Sequence, residues 1–289
     1  PGQGPQSRAV VDAVRGDAFV HRDGTPIVGL AREDFVLRDN GVVQDIQAIT
    51  TADSAHVILA VDVSRSVDGR ALDQLRGAVR ALHAQLTARD RLSLVTFADR
   101  VRVRRRLVAP DQDIEDVLSG LEPAGSTTLH DALVVGTALA RADDRPAVLL
   151  VLTDGGDTGS WNTAAATLDA IKGAHVVVYA VGAGLPNVMM SSTTSEYLTE
   201  RVWMPPLPGD QLRFLKSVAE VSGGDVLRID RGALRPGTFA GILAQYRQRY
   251  LLTYTPAGTP APGWHRLDVR LRTHTGTIVA REGYMARMP

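Results

Sequence analysis

Apolar positions fall into short unbroken runs through the middle of this chain, and into turn-broken runs at its two ends. Residues 56–61 read HVILAV, nearly all apolar, as a strand buried on both faces must be. Leu72, Leu75, Val79, Leu82 and Leu86 then recur at three- and four-residue spacing, which predicts a helix with one apolar stripe. Residues 92–97 predict the next strand. Residues 101–108 alternate Val or Leu with Arg after a break of only Ala98, Asp99 and Arg100. So short a connection admits only a hairpin, hence an antiparallel edge strand. Its Arg102, Arg104 and Arg106 are expected on one face, as charge that keeps an open edge from aggregating. Helical patterns follow at 131–142, 163–172, 211–222 and 236–248, and strand patterns at 147–153, 175–181 and 225–229. Gly223 and Gly224 mark the stop of the third of these helices. Strands alternating with helices predict an α/β fold, a doubly wound and mostly parallel six-stranded sheet.

The ends differ in character. Runs at 10–14, 42–49, 250–254, 267–271 and 277–280 are strand-like and separated by Gly, Pro and Asn turns. Neither end has enough strands for a stable sheet alone. Residues 9–50 with 249–287 are therefore expected to form one small β-sandwich beside an α/β domain at 53–248. Residues 185–209 show no periodicity, and a stretch that long without structure is usually a binding element or disordered. Met189, Met190, Trp203 and Met204 give it apolar side chains that a solvated loop would lack.

The informative chemistry lies where three segments would meet at the strand ends, the edge at which open α/β sheets bind ligands. Asp62, Ser64 and Ser66 follow the first central strand, Thr127 stands in a loop before a helix, and Asp154 follows the 147–153 strand. Helix capping is the bland explanation for Asp or Ser at a strand end. The set as a whole resembles the metal-ion-dependent adhesion site of the von Willebrand factor A family: Asp-x-Ser-x-Ser, a separate Thr and a separate Asp. Thr127 precedes Asp131 by four residues, as in that family's Thr-x-Leu-x-Asp-Ala stretch, and Asp154 matches its Thr-Asp-Gly element. Arg65 stands where Gly is commonest. The segments 24–30, 33–35 and 39–41, with the tail from Tyr250 to Tyr284, resemble bacterial VWFA-related proteins, many of them acidobacterial.

The resemblance implies a divalent cation, Mg²⁺ first with Mn²⁺ or Ca²⁺ possible, held by Asp62, Ser64, Ser66, Thr127 and Asp154. Mg²⁺ suits such a set, because it takes oxygen ligands and keeps several waters. The implied role is adhesion, with capture of a carboxylate on a protein or other macromolecular partner and no catalysis. The alternative is an assembly module of an envelope complex, in which the cation mainly stabilises the fold. Arg65, His130 and Trp203 are the expected contacts to a partner.

Composition narrows the remaining classes. Lys and Arg number 32, as do Asp and Glu, so no global field favours nucleic acid. Cysteine is absent, which excludes disulfides and thiolate chemistry. No apolar run approaches the ~18 residues of a membrane span. The chain opens at Pro1 without an initiator Met, as a trimmed product would. With the resemblance, this points to a secreted, periplasmic or cell-surface location. Phosphatase chemistry on Asp62 would need a second Asp two residues on, where Ser64 stands. Nucleotide-binding Gly loops, the Gly-x-Ser-x-Gly elbow and the His-Glu-x-x-His helix do not occur.

Overall fold

The computed structural model describes residues 13–67, 69–153, 156–183, 209–229, 234–258, 262–273 and 275–286. Its first part lays down β1 (Val14–Arg22), β2 (Thr25–Pro26), β3 (Phe35–Asp39), β4 (Val42–Gln44) and β5 (Ala48–Thr51). Strand and helix then alternate through β6 (His56–Asp62), α1 (Gly69–His83), β7 (Arg91–Phe97), β8 (Val101–Val108), α2 (Glu115–Ser119) and α3 (Leu129–Ala140). The alternation continues with β9 (Ala147–Thr153), α4 (Ala164–Lys172), β10 (Val176–Ala183), α5 (Gly209–Ser222), β11 (Asp225–Ile229) and α6 (Gly237–Arg247). β12 (Tyr250–Tyr254), β13 (Gly263–Leu271), β14 (Thr277–Ala280) and β15 (Gly283–Ala286) follow.

Every residue of β6 is buried, so both of its faces need cover. The six-stranded sheet, in the order β11-β10-β9-β6-β7-β8, provides it: parallel throughout except for β8. Val57, Leu59 and Val61 pack against α1, α2 and α6, while Ile58 and Ala60 pack against α3, α4 and α5. From β6 the chain winds outward through β7 and β8. From β9, the other neighbour of β6, it winds the opposite way through β10 and β11. The crevice of this open sheet therefore opens at the C-terminal ends of β6 and β9.

β8 is the antiparallel edge that its short connection requires. The expectation that Arg102, Arg104 and Arg106 line one of its faces does not hold. Arg102 pairs with Thr96 and Arg105 with Leu94, with register shifts on either side of Leu94. The extra residue of a bulge reverses the alternation, so Arg105 takes the face that the spacing gave to Arg104. Arg105 there pairs with Asp116 of α2, a helix of five residues with too few turns to show a period.

The two ends of the chain combine. β14-β1-β12-β5, with β2 on β1, form one sheet and β15-β13-β3-β4 another, their pairings antiparallel. Phe35, Leu37, Tyr250, Leu252, Leu267 and Tyr284 share the core between them. The run at 42–49, one strand by its pattern, divides: β4 pairs with β3 and β5 with β12. The chain changes sheets near Ile46, which is buried in that core. Buried Asp39 accepts hydrogen bonds from Tyr254 Oη (2.9 Å) and Tyr284 Oη (2.8 Å) and lies 2.7 Å from His265 Nδ1, tying the sheets together. Residues 10–12 lie outside the described residues, and β1 runs instead from Val14. Among the described residues no helix is long and apolar enough to cross a membrane.

Candidate metal centre

Asp62 ends β6 and is 1% exposed. A buried carboxylate needs donors to offset its lost hydration. One oxygen, Oδ1, accepts the Ser64 backbone N–H at 2.9 Å, and Oδ2 accepts the Thr153 hydroxyl at 3.0 Å. Asp62 stands too far ahead of α1, which begins at Gly69, to cap it. The capping explanation therefore fails for this residue. Thr153 ends β9, so its hydroxyl carries a direct contact across the crevice between the two central strands.

The turn after Asp62 places Ser64 and Ser66 side by side, their Oγ atoms 3.1 Å apart. Ser64 is buried and Ser66 exposed. The turn is fixed by the backbone: Val63 N–H donates to Phe97 O (2.9 Å) and Val67 N–H to Ser64 O (3.0 Å). A second loop is bonded to it, with Ala124 N–H on Val63 O (2.9 Å) and Arg65 N–H on Gly125 O (3.3 Å). Gly125 has φ +79°, and a Cβ there would lie 3.0 Å from Asp99 Cβ and 3.1 Å from its backbone nitrogen. Glycine is thus required both for the turn and for the close approach. That loop delivers Thr127, 6% exposed.

A third segment clasps Thr127 from the other side. Its N–H donates to Thr158 Oγ1 (2.9 Å), and its carbonyl accepts the N–H groups of Thr158 (2.9 Å) and Gly159 (3.1 Å). Two carboxylates hold the 156–162 loop in shape. Asp157 accepts from Ser160 Oγ and from the His130 backbone N–H (3.1 Å). Asp131 accepts from Trp161 N (3.0 Å), Asn162 N (2.9 Å) and Asn162 Nδ2 (2.7 Å). Burial raises the Asp131 pKa, but those three bonds outweigh it and hold the carboxyl below its usual range.

Four of the five expected ligands, Asp62, Ser64, Ser66 and Thr127, thus belong to segments that interlock at the crevice. Asp154 lies outside the described residues, as do Trp203 and residues 185–208 of the 185–209 stretch, whose last residue, Gly209, opens α5. Arg65 is exposed, as a contact residue must be. His130 is partly buried. Its ring packs edge-on to Phe214 of α5 at 4.5 Å, Nδ1 is 3.2 Å from Asn162 O, and the side chain is only 16% exposed. Being in the first turn of α3, beneath the 156–162 loop, turns it inward. The residue that the sequence reading passed over is Trp161, 95% exposed at the tip of that loop. Its signal was an aromatic residue amid Gly, Asp, Thr and Ser directly after the Asp154 element.

The donor set fits a hard cation. The Asp62 carboxyl and the Ser64 and Ser66 hydroxyls lie on one turn, and among the described residues no three His, Asp or Glu cluster as softer or more highly charged sites do. The Ser64 and Ser66 oxygens, 3.1 Å apart, are hydrogen-bonded to each other. Thr128 Oγ1, beside Thr127, is buried with no hydrogen-bond partner among the described residues.

Residues 57–156 match the family model described as von Willebrand factor type A domain. Inter-alpha-trypsin inhibitor heavy chain H4 of Sus scrofa is 28% identical over 135 residues, covering 42% of this chain and 15% of that protein. Its Bos taurus counterpart is 25% identical over 137 residues, with the same coverage. The chain therefore spans a small part of the length of the curated relatives it matches. Among solved structures, von Willebrand factor type A from Catenulispora acidiphila aligns with a TM-score of 0.51 at 14% identity. That alignment covers 97% of this chain and 75% of that one, a likeness of fold.

Proposed function

Since residues 57–156 match the von Willebrand factor type A domain model, we propose that this protein is a cation-dependent binding module. Asp62, Ser64, Ser66, Thr127 and Asp154 would hold the ion, Mg²⁺ before Mn²⁺ or Ca²⁺, and the captured group would be a carboxylate on a protein partner. The observation that carries the reading is the pair of Ser64 and Ser66 hydroxyls, 3.1 Å apart, in front of a buried Asp62. When bound, the ion supplies an electrophilic coordination position for an anionic oxygen. The chain's own residues orient and insulate. Thr153 and the Ser64 N–H hold the Asp62 carboxyl in position, and Arg65 adds attraction for an anion from the exposed side of the turn.

The three segments of the site are joined by backbone bonds such as Ala124 N–Val63 O and Thr158 N–Thr127 O, which hold its donors in register. Type A domains serve in general as interaction modules rather than enzymes, and Ser64 where a phosphatase would need Asp agrees with that. In the same reading, 53–248 is the binding domain, 9–50 with 249–287 an accessory sandwich, and the location secreted, periplasmic or cell-surface.

Calorimetric titration with MnCl₂ and MgCl₂ tests it. Ser64→Ala, Thr127→Ala and Asp154→Ala should each weaken the ion by at least ~10-fold, roughly 1.4 kcal/mol. EDTA should lower the melting temperature only by the few degrees that mass action allows. Titration curves unchanged in all three variants would end the proposal. A collapse of the fold in EDTA would favour the structural role instead.

A further inference from the structure

Trp161 is the most exposed of the large apolar side chains among the described residues, at 95%. A single exposed apolar residue is ordinarily unremarkable, but its backbone here is not that of a loose loop. Asp131 fixes Trp161 N and both nitrogens of Asn162, while Asp157 fixes Ser160 at its side chain and, at 3.3 Å, its N–H. Thr158 and Gly159, in the same loop, are bonded to the Thr127 carbonyl. An indole is thereby held out into water on a braced support, tied at both ends to the segment that supplies Thr127. A rigid aromatic that loses little freedom on contact, beside a polar capture point, is the usual anchor of a protein interface.

The charge around it is specific as well. Arg65, on the turn bonded to the Thr127 loop, and Arg100 and Arg102, beside the end of β7, are exposed and form no ion pair among the described residues. The rim therefore presents these three arginines, with exposed Asp99 beside Arg100, and one indole.

We propose that the partner is an acidic protein segment in which an apolar side chain adjoins the captured carboxylate. The carboxylate goes to the cation site and the apolar neighbour packs on Trp161. This rests on the cation reading above and adds the residue that selects among acidic segments. Trp161 sets specificity; Ser64 and its companions set capture.

The test uses the full chain and immobilised peptides, measured by surface plasmon resonance in MgCl₂ and in EDTA. The probes are Gly-Ser-Gly-Asp-Gly-Ser-Gly and its counterparts with Phe or Leu on either side of the aspartate. Wild type should prefer an apolar counterpart by ~10-fold or more, a typical hot-spot effect. Trp161→Ala should bind the all-glycine peptide like wild type but reduce that preference to under ~3-fold. Because the side chain is almost fully exposed, this variant should keep the wild-type melting curve. A full preference retained in Trp161→Ala overturns the proposal while leaving the cation site standing. Binding that persists in EDTA and in Ser64→Ala sinks the cation reading itself. A Trp161→Ala defect confined to sedimentation with phosphatidylglycerol–phosphatidylcholine vesicles would assign the indole to a lipid surface, and would likewise overturn the proposal.

Discussion

His56 opens β6 with no exposed surface, its Nε2 2.8 Å from Ser93 Oγ. Burial pushes its pKa from 6.5 to about 4, with Asp143 opposing the shift and Arg145 adding to it. The folded chain therefore keeps the ring neutral where an unfolded chain would take up a proton near pH 6.5. This contribution to stability is complete above that pH and is lost as pH falls from 6.5 toward 4, at most roughly 3 kcal/mol. In urea unfolding at pH 7.5 and 4.5, wild type should lose more stability between the two than His56→Gln, which cannot titrate. An imidazole titrating near 6.5 in the folded protein by NMR would contradict the assignment. The ring's position was visible in the HVILAV pattern, but its neutrality was not. That follows from the depth at which β7 and β9 flank it.

At the scale of elements, α3 matters most for the site, because Thr127 and Thr128 lead into it and Asp131 stands in its first turn. Its seat on β9 is set by Gly136, where a Cβ would come within 2.8 Å of both methyl carbons of Leu149. Leu149 is fully buried, so its methyl groups can move only against other core side chains. Alanine would ordinarily favour a helix over glycine by ~1 kcal/mol. Here overpacking, typically 1–3 kcal/mol, outweighs that gain. Gly136→Ala should lower urea-unfolding stability by about 1 kcal/mol or more and weaken the cation through displacement of α3. A stabilised variant would show that this contact does not set the spacing. The longer helices were legible from their apolar periodicity, whereas α2 was too short to have one. β1, read VRGDAFVHR, was missed because Gly16 and Asp17 break its pattern. Asp17 is a strand residue only because of what it meets across the molecule.

What it meets is Arg249, the anchor between the α/β body and the terminal sheets. Its side chain is 1% exposed. It donates to Asp17 of β1 through Nε (2.8 Å) and Nη2, to Val279 O of β14 (3.1 Å) and to Tyr179 Oη of β10 (3.5 Å). Arg281 makes a second tie, reaching Ala174 O (2.8 Å) and Gly283 O (2.6 Å). Removing one partner of a buried pair strands the other charge, at a cost of about 3–5 kcal/mol. Arg249→Ala should lose that much in urea unfolding followed by circular dichroism. The double replacement Arg249→Met with Asp17→Leu should recover most of it, since paired burial is not itself strongly stabilising. A loss under ~1 kcal/mol in the single variant would mean that the two parts are not coupled through this arginine.

Local spacing determined the alternation of strand and helix, the antiparallel edge at β8 and the residue types gathered at the strand ends, because periodicity and connection length are properties of neighbours in the chain. Only the tertiary structure decided which arginine faces α2, that His130 turns inward, that the 42–49 run divides between two sheets, and that Trp161 stands free on a loop braced by Asp131. Each of these depends on a partner from a distant part of the chain: a bulge registered against β7, a ring from α5, two different pairing strands, a carboxylate from the start of α3. The physical reason is that burial and hydrogen-bond satisfaction are settled among elements, after the chain has brought them together.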